Sequence, residues 1–188
     1  IDGEQGILAY RGYPIAELAA HSTFEETALL LLDGELPTAD ELADFDQWLR
    51  ANRRMKYNIR AMMKSLPATG HPMEMLQTAV ASLGMFYPGT ERLARANAWE
   101  DLDYIHGMSV RIIARMATLV AMWEHVRKGY DPIEPRMDLT HAENFLYMLS
   151  GEEPDPLIAR ILDTCLVLHA EHTTNASTFA ARVAASTL

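Results

Sequence analysis

Apolar positions recur at helical spacing in runs divided by glycine, proline or a Ser/Thr-x-x-Glu signature, which predicts a succession of helices with few strands. The exception is the opening Ile1 to Ile15, where three glycines surround β-prone Ile7 and Tyr10, so a short hairpin is expected before Pro14 starts a helix. Ser22 with Glu25 has capping-box spacing ahead of Leu29 to Leu32, and Gly34 lies where a left-handed cap would end that helix. Thr38 with Glu41 repeats the signature and opens a helix through Leu42, Phe45, Trp48 and Leu49, which runs into the basic stretch Arg50, Arg53, Arg54, Lys56. A short helix near Tyr57 to Leu66 stops at Pro67. Pro72 begins another through Met73, Leu76, Val80 and Leu83, and Tyr87-Pro88-Gly89-Thr90 reads as a turn.

From Asp101 to Lys128 an apolar face of Ile105, Met108, Ile112, Met116, Leu119 and Trp123 is broken by Arg111, Arg115 and Glu124, so a long helix outside any membrane is expected, capped by Gly129. Asp131-Pro132-Ile133-Glu134-Pro135 reads as a stiff linker. Thr140 with Glu143 forms a third capping box, and Gly151 closes the helix that carries Asn144 to Leu149. Pro154 and Pro156 lead into two last helices, of which Phe179 to Leu188 is apolar, alanine-rich and without a terminating signal, so a packing partner is expected for it. No repeat period, low-complexity tract or domain boundary stands out, and one all-α array with a short N-terminal hairpin is expected.

Composition narrows the function classes. Over 188 residues, 16 Lys plus Arg against 26 Asp plus Glu leave a net charge of −10, which argues against a phosphate backbone as partner. A single cysteine, Cys165, excludes an intrachain disulfide framework, and its apolar surroundings from Leu162 to Leu168 suggest a buried thiol in a reducing compartment. Neither an export leader nor an uninterrupted apolar span is read, so a cytoplasmic protein with no membrane partner is expected. The methionines at 62, 63, 73, 75, 85, 108, 116 and 122 read as adaptable packing between helices.

Candidate chemistry concentrates in Leu168-His169-Ala170-Glu171-His172-Thr173-Thr174-Asn175-Ala176-Ser177-Thr178. Histidines three apart on a helix share a face. A zinc site lacks further ligands at workable spacing, so no metal is expected. One local reading packs His169 with Ile161, Leu162, Cys165 and Leu168 and leaves His172 to end the helix against its dipole. In the other, Thr173-Thr174-Asn175 break the helix and Thr174 or Asn175 caps the next, which sets His172 beside free N–H donors, a combination suited to a carboxylate. The cations Arg50, Arg53, Arg54, Lys56 and Arg60 read either as a solvated face or as a positive field that draws in anions.

His169-Ala170-Glu171-His172, with Asn175-Ala176-Ser177-Thr178-Phe179 and Arg182-Val183, resembles the citrate synthase family. So do Asp2-Gly3-Glu4-x-Gly6-Ile7-Leu8-x-Tyr10-Arg11-Gly12-Tyr13-Pro14-Ile15, Leu36-Pro37-Thr38, His71-Pro72-Met73 and Asn144-Phe145-Leu146-Tyr147-Met148, in the family's order and across essentially the whole chain. The resemblance implies an acyltransferase of the tricarboxylic acid cycle that condenses oxaloacetate with acetyl-CoA as co-substrate and hydrolyses the thioester to citrate. It implies a homodimer or higher oligomer that needs no cofactor.

Residues 1–188 would be the N-terminal part of the large helical domain, with the small domain and C-terminal part absent. The family's Gly-Pro-x-His-Gly-Gly-Ala-Asn and Gly-x-Gly-His motifs do not occur here. No catalytic residue is therefore expected in this segment, and alone it should be inactive. His172 matches the family's oxaloacetate-binding histidine, and Arg53, by counting back from Leu66-Pro67, matches a second substrate contact. A 2-methylcitrate synthase using propionyl-CoA is the alternative within the fold, since one methylene is a matter of about 1–3 kcal/mol of pocket fit. A non-catalytic helical interaction module is the alternative of another class.

Overall fold

A computed structural model describes residues 4, 6–86, 101–172 and 174–185; the Tyr87-Pro88-Gly89-Thr90 turn, Thr173 and the chain's last three residues lie outside them. Among the described residues one antiparallel hairpin, β1 (Ala9–Tyr10) with β2 (Tyr13–Pro14), precedes an all-helical chain. The helices are α1 (Ile15–His21), α2 (Phe24–Asp33), α3 (Ala39–Ala51), α4 (Tyr57–Ser65), α5 (Pro72–Phe86), α6 (Leu102–Arg127), α7 (His141–Ser150), α8 (Pro156–Leu168) and α9 (Ala176–Ala185). They group into two compact units, Ile1–Ala43 with Arg160–Leu188, and Asp44–Ala159. Both boundaries fall inside helices, α3 and α8, where no glycine or proline cluster could mark them.

In the first unit the hairpin turns through Arg11 (φ 49°) and Gly12 (φ 94°), two successive left-handed residues as a two-residue hairpin loop requires. Arg11 is the costly one, and its guanidinium is tied to the Leu31 carbonyl at 2.8 Å. Thr23, one residue beyond the expected Ser22, caps α2 by accepting the Glu26 N–H at 3.2 Å. Ser22 is buried instead and shares a 3.0 Å hydrogen bond with Thr27. Gly34 ends α2 in the left-handed conformation as expected.

Helix α8 closes this unit by serving two helix ends at once. Asp163 accepts the Phe24 N–H at 3.0 Å at the start of α2, and Arg160 donates to the carbonyls of Ala19, Ala20 and Ser22 at the end of α1. Each charge therefore faces the helix terminus of opposite partial charge. Tyr10, Leu18, Leu30 and Val167 form the core. Because Asp163 and Val167 point inward, the opposite face of α8 carries Ile158, Ile161 and Cys165 exposed. The expectation of a buried thiol, and of His169 packed into an Ile161–Leu168 stripe, is thus corrected.

In the second unit α6 packs against α4, α5 and α7. Met55, Ile59, Met63, Met75, Ala79, Leu83, Leu119, Met122 and Trp123 make its core. The inward face of α6 coincides with the expected one in part: Leu119 and Trp123 are buried, and Ile105, Met108 and Met116 are half-buried. Gly107, Val110, Ala114, Thr118 and Ala121 are buried, whereas Ile112 is exposed. Small residues let neighbours approach the α6 backbone, and Trp48 does so at Gly107, where an added Cβ would meet the indole ring at 3.4 Å. An 18-residue window of α6 has mean hydropathy 1.3, enough by length and composition to cross a membrane. Its packing and its buried Arg115 identify it as a core helix of this unit.

Gly107 yields a two-sided prediction. A methyl group just fits, so Gly107→Ala should stabilise by about 0.5–1 kcal/mol through helix propensity, and Gly107→Leu should cost about 1–3 kcal/mol by displacing Trp48. Urea midpoints of the two variants should move in opposite directions; a shared direction would contradict this packing.

Candidate functional site

Helix α8 stops at Leu168, so the two histidines do not share a helical face as expected. His169 lies in the turn that follows, where its Nδ1 is 2.7 Å from the Cys165 carbonyl. A carbonyl only accepts, so Nδ1 is the donor, and in a neutral ring Nε2 carries the lone pair. His172 lies outside any helix with its side chain exposed. Downstream, Asn175 Oδ1 accepts the Thr178 N–H at 2.8 Å, which makes Asn175 the cap of α9, as one of the two expected candidates. His169, His172 and the capped start of α9 thus fall within one short segment of the first unit. It offers imidazole and backbone N–H donors, the groups that bind a carboxylate or a polarised carbonyl oxygen.

The anchor of this segment is Tyr10, which the sequence places only in the N-terminal hairpin. The Tyr10 hydroxyl is 3.1 Å from the Leu168 carbonyl and 3.3 Å from the Glu171 carbonyl, and it accepts the Glu171 N–H at 3.3 Å. No local signal could have revealed this, because the partners are about 160 residues apart.

Arg53 belongs to the second unit, where it is 0% exposed. Its Nη1 donates to the Arg136 carbonyl at 2.9 Å and the Leu139 carbonyl at 2.7 Å, while its own carbonyl accepts from Thr118 Oγ1. Three nearby cations follow the same pattern. Arg50 donates to the Met137 carbonyl, Arg60 pairs with Glu134 and Lys64 with Asp131. The expected stiff linker is therefore a strap, 131–139, fastened in roughly antiparallel order by the basic stretch. Of the five cations, Arg50, Arg53 and Arg60 are taken up by the strap, whereas Arg54 and Lys56 are exposed to solvent. Lys64 holds the Asp131 carboxyl below its ordinary range, and Arg136 holds that of Asp138 at about 2.

The inner edge of the strap meets α7. Thr140 and Glu143 form the expected capping box, and Asn144 Oδ1 accepts the Arg136 N–H at 2.8 Å. His141 is buried there, and desolvation, helped by the Arg53 charge, lowers its pKa from 6.5 to about 4. The folded protein thus refuses a proton that the unfolded chain accepts. Stability is unaffected above pH 6.5 and falls as the pH drops from 6.5 towards 4, by on the order of 3 kcal/mol in full. Urea midpoints at about pH 7 and pH 4.5 should show a smaller drop for His141→Phe than for the parent protein. Equal drops would assign the acid sensitivity elsewhere.

Among the described residues no group of three or more His, Cys, Asp or Glu side chains is arranged to hold a metal ion. The family model described as "Citrate synthase, C-terminal domain" matches residues 1–188. The citrate synthase of Acidithiobacillus ferridurans is 63% identical over 188 residues, covering 100% of this chain and 48% of that protein. The 2-methylcitrate synthase of Mycobacterium tuberculosis is 41% identical over 180 residues, covering 96% of this chain and 44% of that protein. The crystal structure of citrate synthase from Pyrobaculum aerophilum superposes with a TM-score of 0.88 at 42% identity, covering 97% of this chain and 46% of that one. The chain spans about half the length of the relatives it matches.

Proposed function

The chain belongs to the citrate synthase family, and from that membership we propose that the protein carrying it condenses acetyl-CoA with oxaloacetate and releases CoA and citrate. The observation that carries this reading is the 63% identity to a citrate synthase along all 188 residues. The chemistry divides into removal of a proton from the thioester methyl, attack of the resulting enolate on the ketone carbon of oxaloacetate, and hydrolysis of the thioester. We assign His172 to the second step. A ring N–H donated to oxaloacetate orients the ketodiacid and draws electron density towards its carbonyl oxygen as the new carbon–carbon bond forms. The carboxylate base and the donor to the enolate oxygen are assigned to parts of the protein beyond these 188 residues, which we read as the N-terminal part of the large helical domain.

Arg53 enters the proposal in a different role from His172. Its burial and its two carbonyl partners favour holding the strap over touching substrate. The working protein is proposed to be a cytoplasmic homodimer that needs neither a metal nor a redox cofactor. Light scattering tests the dimer, and activity after exhaustive chelation tests the independence from metal.

A second reading, 2-methylcitrate synthesis from propionyl-CoA, is favoured by the 41% identity to a relative of that name. One assay separates the two: CoA thiol release with oxaloacetate and either acetyl-CoA or propionyl-CoA, with the intact mass read on the same sample. Faster turnover of acetyl-CoA supports the first reading and faster turnover of propionyl-CoA the second. No turnover with either at full family length would overturn both.

A further inference from the structure

Tyr10 is 1% exposed, yet its hydroxyl does not serve its own hairpin. It reaches the Leu168 carbonyl at 3.1 Å and the Glu171 carbonyl at 3.3 Å, and it accepts the Glu171 N–H at 3.3 Å. The hydroxyl has one proton, given to the nearer Leu168 carbonyl or to that of Glu171, and its oxygen takes the Glu171 N–H, so a single group ties the end of α8 to the backbone of Glu171. Glu171 immediately precedes His172. The ring of His172 is exposed, so the backbone on its N-terminal side determines where it is presented. Tyr10 is itself held from both sides. It pairs with Tyr13 across the hairpin, and its ring lies in the cluster of Leu18, Leu30 and Val167, with Ala170 packed against that cluster.

We propose that Tyr10 is a positioning residue for His172, its buried hydroxyl pinning the turn from which the histidine is presented to substrate. The inference rests on the reading of His172 as the oxaloacetate contact. It adds that presentation depends on one O–H group contributed from the other end of the chain. Removing that group loosens the turn at Glu171 and spreads His172 over several positions, of which only some meet the ketodiacid. Such a loss is read mainly in the KM for oxaloacetate, because the His172 contact is already made to the bound ketodiacid and is kept through the step, so misplacing it weakens ground state and transition state alike.

The test uses the full-length protein and Tyr10→Phe, which keeps the ring and deletes the hydroxyl. The KM for oxaloacetate should rise about fivefold or more with kcat changed by less than about twofold, and exchange of the Glu171 amide should quicken about tenfold. Leu18→Val, a loss of packing in the same cluster, is the control for mere destabilisation. It should lower the urea midpoint and leave the KM in place. In a His172→Ala background, Tyr10→Phe should add no further rise.

If His172→Ala raises the KM and Tyr10→Phe does not, the positioning role is wrong and the site stands. An equal rise from Leu18→Val would reduce Tyr10 to ordinary packing and overturn the proposal. If His172→Ala itself leaves the KM unmoved, the reading of the site has failed and this inference fails with it.

Discussion

His172→Ala in the full-length protein should lower kcat/KM for oxaloacetate by about 10–100-fold, most of it through a higher KM, and leave the unfolding midpoint within about 0.5 kcal/mol of the parent. The magnitude follows from the bond removed. A hydrogen bond to a charged group contributes about 1.5–3 kcal/mol, and each 1.36 kcal/mol is a factor of ten in rate. The unchanged stability follows from exposure, since the side chain of His172 fills no core. Steady-state kinetics at saturating acetyl-CoA, with a denaturant melt of the same preparation, check both halves. Near-parental kinetics would remove His172 from the site.

The second large effect should fall on folding. Arg53→Ala strips the Arg136 and Leu139 carbonyls of a buried donor and empties the volume of a long side chain, with an expected cost of about 3 kcal/mol or more. The strap should loosen first, so exchange of the Arg136 amide, held by Asn144, should quicken more than that of core amides in α6. Arg53→Lys keeps the charge without the planar fork and should recover only part of the loss. The decisive comparison is with kinetics. A strap-holding residue lowers the yield of folded protein and leaves the KM of the folded fraction alone, whereas a substrate contact would do the reverse.

Much of the local architecture was legible because local chemistry sets it. The Thr140–Glu143 box, the glycines at 34, 129 and 151 and the Pro14 junction depend on neighbours within a few residues. What misled was hydrophobic weight. Large side chains suggest one face of α6, and of these Leu119 and Trp123 are buried, yet Gly107, Ala114, Thr118 and Ala121 are buried beside them, because a close helix contact selects for small groups. On α8 the inward face is set by Asp163, whose partner Phe24 lies 139 positions earlier, so the apolar residues beside it were read as core when they face outward. Arg53 and Tyr10 were hidden for the same reason. Their partners are more than 80 and more than 150 residues away, and nothing in a local window distinguishes a pinned arginine from a solvated one.

The reciprocal service of α8 to α1 and α2 also bears on biosynthesis. A chain leaves the ribosome from its N-terminus, so the hairpin, α1 and α2 emerge long before Arg160 and Asp163 exist to neutralise their ends or Tyr10 has a turn to hold. Residues 44–159 can collapse on their own contacts in the meantime, while the earlier segment waits with its apolar side uncovered. Nascent chains arrested before residue 160 should therefore bind holdase chaperones through residues 8–31 and let go once α8 clears the exit tunnel. On this reading the segment made first belongs to the unit that is completed last.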